Sequence, residues 1–289
     1  MTKDLTKGRP MPQILSFGIP VLLGYLFQQL YSVVDTAIVG KTLGGAALAA
    51  VGSTGSINFL VVGFCCGVCA GFAIPVAQQF GAGNNQELRR YVTGGVWLSA
   101  VIALVMTAAM AVSCDGILTA MNTPGDIYQQ AYAYIQTIFL GLPAYVLYNF
   151  CAGVLRSLGD SRTPVIWLVA ASLTNIVLDI VFILTFQLDV FGAALATVTA
   201  QGLSALAALL CLLMNKNAPV HARQFCPDPH LCKKLLTVGV SPFGLSMSAS
   251  VLIMLNNWQC IRYGGAGAVA TYAILSYVLG ALQPLLSGI

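Results

Sequence analysis

Long apolar stretches separated by short polar segments dominate the chain. Each stretch is long enough to cross a hydrocarbon core of about 30 Å as a helix. The pattern therefore predicts an all-α membrane protein, a polytopic helical bundle with eight spans. The stretches lie at residues 14–39, 46–80, 92–112, 128–154, 164–186, 191–214, 235–261 and 267–289.

The longest polar connection, at residues 215–234, divides the chain. We predict a six-helix lobe over residues 1–214, an inter-lobe loop over 215–234, and the first two helices of a second lobe over 235–289. Residues 15–49 also recur weakly 221 positions later in the sequence. Internal repeats of this kind are typical of transporters built from two bundles.

Composition and charge support a membrane location and predict an orientation. Hydrophobic residues make up 58% of the chain and charged residues 8%, against about 25% charged in soluble domains. With the N-terminus inside, eleven Lys and Arg residues lie in inside segments, and only Lys41 and Arg262 lie outside. We therefore expect a multi-pass protein of a bacterial-type plasma membrane with a cytoplasmic N-terminus. The net charge of +4 then requires no nucleic-acid partner.

Two acidic residues, Asp35 and Asp179, lie inside apolar stretches. A carboxylate at the centre of a bilayer costs about 2.5 to 3.5 kcal/mol on insertion scales and commonly marks an ion or substrate pathway. Asn175 lies one helical turn before Asp179, and Gln28 and Tyr31 share the helix face of Asp35. We interpret the carboxylates as a cation or proton site, with Gln28 and Tyr31 as candidate substrate contacts. A purely structural role predicts instead that both aspartates tolerate alanine.

Other chemistries receive less support from the sequence. Cys66 and Cys69 have the spacing of a redox dithiol, but they lie in an apolar, glycine-rich stretch and are interpreted as packing residues. An intramembrane enzyme would need a nucleophile with a base or a metal cluster, and no predicted span contains histidine. We therefore expect neither enzymatic activity nor a cofactor other than a transported ion. The spacings of His221, Cys226, His230 and Cys232 fit no common zinc site.

Several motifs together resemble the multidrug and toxic compound extrusion family of efflux transporters. They are Pro20 with Tyr31-Ser-Val-Val-Asp35 and Val39-Gly40, Val76-Ala-Gln-Gln-Phe-Gly-Ala82, Val154-Leu-Arg-Ser-Leu-Gly-Asp-Ser-Arg-Thr-Pro164, Asn175-Ile-Val-Leu-Asp179 and Phe191-Gly-Ala-Ala-Leu-Ala-Thr197. The resemblance implies two six-helix lobes around a central cavity, and export of cationic or amphipathic compounds in exchange for protons or sodium.

The resemblance also implies a set of ion-binding residues. In some members a cation site uses an Asp of the first span, an Asn and an Asp of the fifth, and a Thr of the sixth. These correspond to Asp35, Asn175, Asp179 and Thr197, and all four are present. Because the family has twelve spans, we expect a second lobe of which this chain covers only the beginning, and a monomer at full length.

The alternative within transporters is a related flippase of lipid-linked oligosaccharides. Such a protein should line its cavity with Lys or Arg to hold a diphosphate, and no predicted span contains either residue. We therefore expect an ion-coupled antiporter that exports drugs and xenobiotics by alternating access. Its expected partners are the lipid bilayer and small amphipathic or cationic molecules.

Overall fold

The structure is a computed structural model that describes residues 10–121, 123–214 and 229–287. Every regular element in these ranges is helical, which confirms the all-α prediction. The predicted inter-lobe loop lies outside the described residues from 215 to 228, and so do His221 and Cys226. The α-helices are α1 (Pro10–Gly81), α2 (Asn85–Ala120), α3 (Tyr128–Leu140), α4 (Leu142–Ser157), α5 (Arg162–Ile180), α6 (Asp189–Leu213) and α7 (Pro229–Ser287), and a π-helical turn over Val181–Thr185 continues α5.

Helix α1 consists of two arms that meet at a kink. Gly44 has φ 85° and ψ −174°, which is not helical. A β-carbon at this position would meet no atom within 4 Å, so backbone conformation is what favours glycine here. The first arm (residues 10–43) and the second arm (residues 45–81) correspond to the first two predicted spans, joined by a kink instead of a loop.

The predicted span at residues 128–154 is a bent helix pair. Helices α3 and α4 meet at Gly141 with an angle of 43° between them. Pro143, in the first turn of α4, has no N–H for a helical hydrogen bond and therefore interrupts the helix. A β-carbon on Gly141 would lie 2.4 Å from Val198 of α6, so the bend also brings α3 and α4 close to α6.

Helix α7 differs from the prediction at both of its predicted boundaries. It begins at Pro229, so the last six residues of the predicted loop are helical, and it continues through the predicted break at 262–266. Proline is favoured in a first helical turn. The residues at the predicted break include glycine but no proline, and glycine lowers helix stability by about 1 kcal/mol without removing a hydrogen bond.

The buried core lies between the second arm of α1 and helices α2, α3 and α4. Its largest fully buried side chains include Phe72, Phe139 and Phe150. Helix α7 packs against the second arm, where a β-carbon on Gly71 would lie only 2.4 Å from the Cα of Gly239. Close backbone contact of this kind requires small residues on both helices.

The outer surface is suited to a bilayer. Five of the described helices are long and apolar enough to cross a membrane, and α3 with α4 make a sixth if the bent pair counts as one span. Large apolar side chains such as Val112, Leu104 and Leu173 are exposed on this surface. Lipid tails can cover such side chains, as expected for an integral multi-pass membrane protein.

Candidate functional site

The carboxyl groups of Asp35 and Asp179 lie close enough to interact electrostatically with each other. Asp35 comes from the first arm of α1 and Asp179 from the end of α5. Asp179 is completely buried. In the described part of the chain, the buried Oδ1 atoms of both residues have no hydrogen-bond partner. The two acids predicted from the sequence therefore meet at one place inside the lobe.

The amide of Asn175 connects three helices at this place. Its nitrogen donates to the Tyr31 hydroxyl oxygen at 2.8 Å and to Oδ2 of Asp179 at 2.9 Å. Its oxygen faces the backbone N–H of Thr197 at 2.9 Å and the hydroxyl of Thr197 at 3.2 Å. This orientation of the amide pairs every donor with an acceptor, whereas the opposite one does not. Asn175, Tyr31 and Thr197 thus lie around the carboxylate pair.

Helix α5 brings these groups inside because its buried face is polar. Ser172, Asn175 and Asp179 are spaced by three and four residues, so they lie on one side of the helix, and all three are buried. Leu173 and Val177 on the opposite side are 55% and 59% exposed. The helix therefore turns its apolar side to lipid and its polar side to α1 and α6.

Tyr134 of α3 is a member of the site that sequence reasoning missed. Its hydroxyl lies close enough to interact electrostatically with both Asp35 and Asp179. Its ring packs against the small apolar cluster that includes Val39 and Ile183. In the sequence, a tyrosine in the middle of a long apolar stretch resembles a packing residue. The one signal that could have indicated this role is that its hydroxyl group lies at the same membrane depth as the two carboxylates.

Gln28 and Tyr31, the two candidate substrate contacts, lie in different places. Tyr31 faces the carboxylate pair, whereas Gln28 lines a separate cavity of about 420 Å³. This cavity, which we call the inner cavity, lies between both arms of α1 and helices α4, α5 and α6. Gln28 and Gln201 line it, and they are one helical turn from Tyr31 and Thr197. The inner cavity therefore ends next to the carboxylate pair.

Arg156 corrects the prediction that no basic residue lines a cavity. Helix α4 extends to Ser157, beyond the predicted span end at residue 154. Arg156 therefore lies in the last turn of α4, where its Nε donates to the carbonyl of Ala152 at 3.1 Å. Its side chain forms part of the wall of the inner cavity.

Asp160 fixes the turn between α4 and α5. Its carboxylate accepts hydrogen bonds from the Thr163 hydroxyl at 2.6 Å, from the Thr163 N–H at 3.0 Å and from the Arg162 N–H at 3.2 Å. Burial raises the pKa of Asp160, but hydrogen bonds, with those from Thr163 the largest, and nearby positive charge lower it more, so its pKa lies below the usual value. The residue therefore acts as an ionised cap for the start of α5.

The described cysteine and histidine residues do not form a metal centre. Within the described ranges, no group of three or more His, Cys, Asp or Glu side chains is placed to hold a metal ion. Cys66 and Cys69 are free thiols, and both line the inner cavity. The thiol of Cys66 lies 3.6 Å from Oδ1 of Asn149.

Comparison with known proteins shows similarity to a protein family and to multidrug resistance proteins. The MatE family profile matches residues 20–181. The chain is 28% identical over 272 residues to the probable multidrug resistance protein YpnP of Bacillus subtilis (strain 168), covering 92% of this chain and 61% of that protein. It is 29% identical over 295 residues to the probable multidrug resistance protein YoeA of the same organism, covering 98% and 63%.

A solved structure agrees with these relatives. A MOP superfamily transporter from Pyrococcus furiosus Vc1 is similar to this chain with a TM-score of 0.90 and 26% sequence identity. The match covers 100% of this chain and 66% of that one. The chain thus spans about three fifths of the length of its curated relatives, at 61% and 63%.

Proposed function

This chain belongs to the MatE family, whose profile matches more than half of its length, and from that premise we propose that it forms part of an ion-coupled exporter of cationic or amphipathic drugs and xenobiotics. The observation that carries the proposal is the carboxyl pair of the half-buried Asp35 and the fully buried Asp179, each with a buried, unpartnered Oδ1 within the described structure. The relatives named as multidrug resistance proteins support the same function.

The carboxylate pair supplies the ion coupling. Two carboxylates in contact inside a membrane repel each other strongly when both are ionised, so the pair holds a proton or a cation. The proximity of the two carboxyl groups favours a shared proton, because a protonated carboxyl can donate to an ionised one. A sodium ion or a cationic substrate can replace that proton, since either one neutralises the same charge.

Asn175 and Tyr31 position the pair for this exchange. The amide nitrogen of Asn175 bonds Oδ2 of Asp179 and leaves Oδ1 available to a proton or a cation. The Tyr31 hydroxyl links the first arm of α1 to the amide of Asn175 on α5. Movement of the first arm would therefore change the environment of both carboxylates together. Such a link connects ion occupancy to alternating access between two lobes.

The proposed orientation places the N-terminus and the segment at residues 215–234 on the cytoplasmic side of a bacterial-type plasma membrane. It is based on the distribution of Lys and Arg. Membrane-impermeant thiol reagents should label Cys226 and Cys232 only in inside-out vesicles. Strong labelling of both residues in intact cells would reverse the orientation.

The flippase alternative receives no support from the inner cavity. In the part of the chain that the structure describes, Arg156 is the single basic residue that lines it, and one guanidinium is too little positive charge to neutralise a diphosphate.

The proposed function is tested by transport in liposomes that contain the full-length protein. Asp35→Asn and Asp179→Asn should each lower proton-driven ethidium transport at least tenfold while protein levels stay near those of the wild type. The matched control is Asp189→Asn, because Asp189 is exposed and its positive φ of 48° suits asparagine. Wild-type transport rates in both carboxylate variants would exclude the proposed role.

A further inference from the structure

The inner cavity has two polar ends and an apolar middle. At one end lie Arg156 and Ser157, in the last turn of α4, and at the other lie Gln28 and Gln201. Its wall along the first arm extends from Phe17 to Gln28, which corresponds to about 16 Å on a helix. The apolar middle is formed by side chains such as Val21, Ala73, Val165 and Leu168.

Among the described residues that line the inner cavity, Arg156 is the only one with a charged side chain. Its Nε bonds the carbonyl of Ala152, which holds the guanidinium against α4 with its terminal nitrogens available. The described residues offer Arg156 no ion pair, and no acid lines the cavity. The cavity therefore carries a net positive charge at one end.

The wall beside Arg156 is held in place by neighbouring contacts. The Ser157 hydroxyl lies 2.9 Å from the carbonyl of Ala73 on the second arm and 3.0 Å from that of Gly153. A β-carbon on Gly153 would lie 3.3 Å from Ala73, so the two helices are in close contact at this point. The positive end is thus formed by packed helices and lies next to the turn at residues 158–161, where α4 leaves the apolar region.

We propose that the inner cavity binds an amphipathic anion, a single medium-length apolar chain or ring system whose acidic group pairs with Arg156. A volume of about 420 Å³ is within the range of small-molecule sites, which are mostly apolar with a few polar groups. Arginine binds carboxylates and phosphates through paired hydrogen bonds. The lobe therefore contains two sites that prefer ligands of opposite charge. Cations bind at Asp35 and Asp179, and an anion binds at Arg156.

Cys66 provides a reporter for this site because its half-buried thiol lines the inner cavity. Protein in phosphatidylcholine nanodiscs is treated with N-ethylmaleimide, and alkylation is followed by mass spectrometry at each cysteine. Decanoate should slow alkylation of Cys66 at least fivefold, whereas decyltrimethylammonium at the same concentration should leave it unchanged. Cys232, on the first turn of α7 and outside the cavity, is the internal reference for general effects of an amphiphile.

Substitutions at Arg156 test whether its positive charge is responsible for binding the anion. Arg156→Gln should raise the decanoate concentration for half-protection about tenfold, the effect of a lost charge-assisted hydrogen bond. Arg156→Lys should keep most of the protection. Arg162→Gln is the matched control, because it removes a nearby exposed charge that does not line the cavity, and it should behave as the wild type.

The anion can come from the aqueous phase or from the bilayer, and two probes distinguish these sources. Decanoate reaches the protein from water, whereas lysophosphatidic acid is incorporated into the nanodisc bilayer. Protection of Cys66 by either probe, with loss in Arg156→Gln, supports the site and identifies the source. Protection by neither probe, equal protection by decyltrimethylammonium, or equal half-protection in Arg156→Gln and wild type would overturn the proposal. The readout is binding without an ion gradient, so it does not depend on the coupling proposed for Asp35 and Asp179.

Discussion

The amide nitrogen of Asn175 donates to Oδ2 of Asp179 at a distance of 2.9 Å, one helical turn along α5. This bond satisfies one oxygen of the buried carboxylate, and Oδ1 has no partner among the described residues. A buried polar atom without a partner is costly in an apolar environment. The arrangement therefore resembles a functional site more than a structural one, because a structural role would favour full satisfaction of the carboxylate.

Asn175→Ala should destabilise the protein, because it leaves Oδ2 of Asp179 and the Tyr31 hydroxyl without the amide that joins them. The expected loss in the free energy of unfolding is about 1 to 3 kcal/mol. Thr174→Ala is the control, since within the described residues the Thr174 hydroxyl donates to the carbonyl of Ala170 in its own helix. Thermal unfolding in detergent gives the Tm of both variants. Equal shifts in Tm would show that the amide does not stabilise the site.

Gly44→Ala should strain the kink of α1. At φ 85° an alanine costs about 1 to 2 kcal/mol, although the space around the residue is open. Gly45→Ala is the matched control, because its surroundings are equally open and its backbone is helical, so alanine should be neutral or stabilising. Thermal unfolding of both variants checks this. If the Gly44→Ala variant is as stable as Gly45→Ala, the backbone conformation at the kink does not require glycine.

Asp160→Ala should destabilise the start of α5 by about 0.5 to 2 kcal/mol at neutral pH, as expected for the loss of an N-terminal cap. Because the folded-state pKa of Asp160 is lowered, its stabilisation is present above the unfolded pKa of about 3.9 and decreases as pH falls through the folded pKa.

The difference in Tm between wild type and Asp160→Ala should therefore decrease between pH 6 and pH 3. Asp126→Ala, which removes an exposed loop charge, serves as the control and should change Tm little at any pH. If the difference in Tm between wild type and Asp160→Ala does not change with pH, the ionised form of Asp160 is not what stabilises the turn.

The sequence predicts the helical class, which the structure confirms, and it also proposes the central residues of the candidate site. Asp35 and Asp179 were identifiable because a carboxylate in an apolar stretch is expensive and therefore conspicuous. Asn175 and Thr197 followed from spacing and from the family resemblance. Their contact across three helices depends on the polar face of α5, which the spacing of Ser172, Asn175 and Asp179 already indicates.

Other features depend on tertiary packing and could not be predicted. The bend at Gly141 and the role of Tyr134 follow from how α3 lies against α1 and α6. Arg156 was assigned to a loop because hydropathy falls before α4 ends, whereas its hydrogen bonds continue to Ser157. An arginine at such a boundary extends its charge towards polar surroundings, so sequence alone does not show which cavity it lines.

The most direct test of the account is the number of protons released when a cation binds to the purified protein. Tetraphenylphosphonium is titrated into protein in weakly buffered solution at pH 7 while a dye reports released protons and calorimetry reports binding. We predict about one proton released per cation bound, the same result for Asp189→Asn, and no release for the double variant Asp35→Asn with Asp179→Asn. Saturable binding to the wild type without proton release would contradict exchange of a proton for a cation at the carboxylate pair.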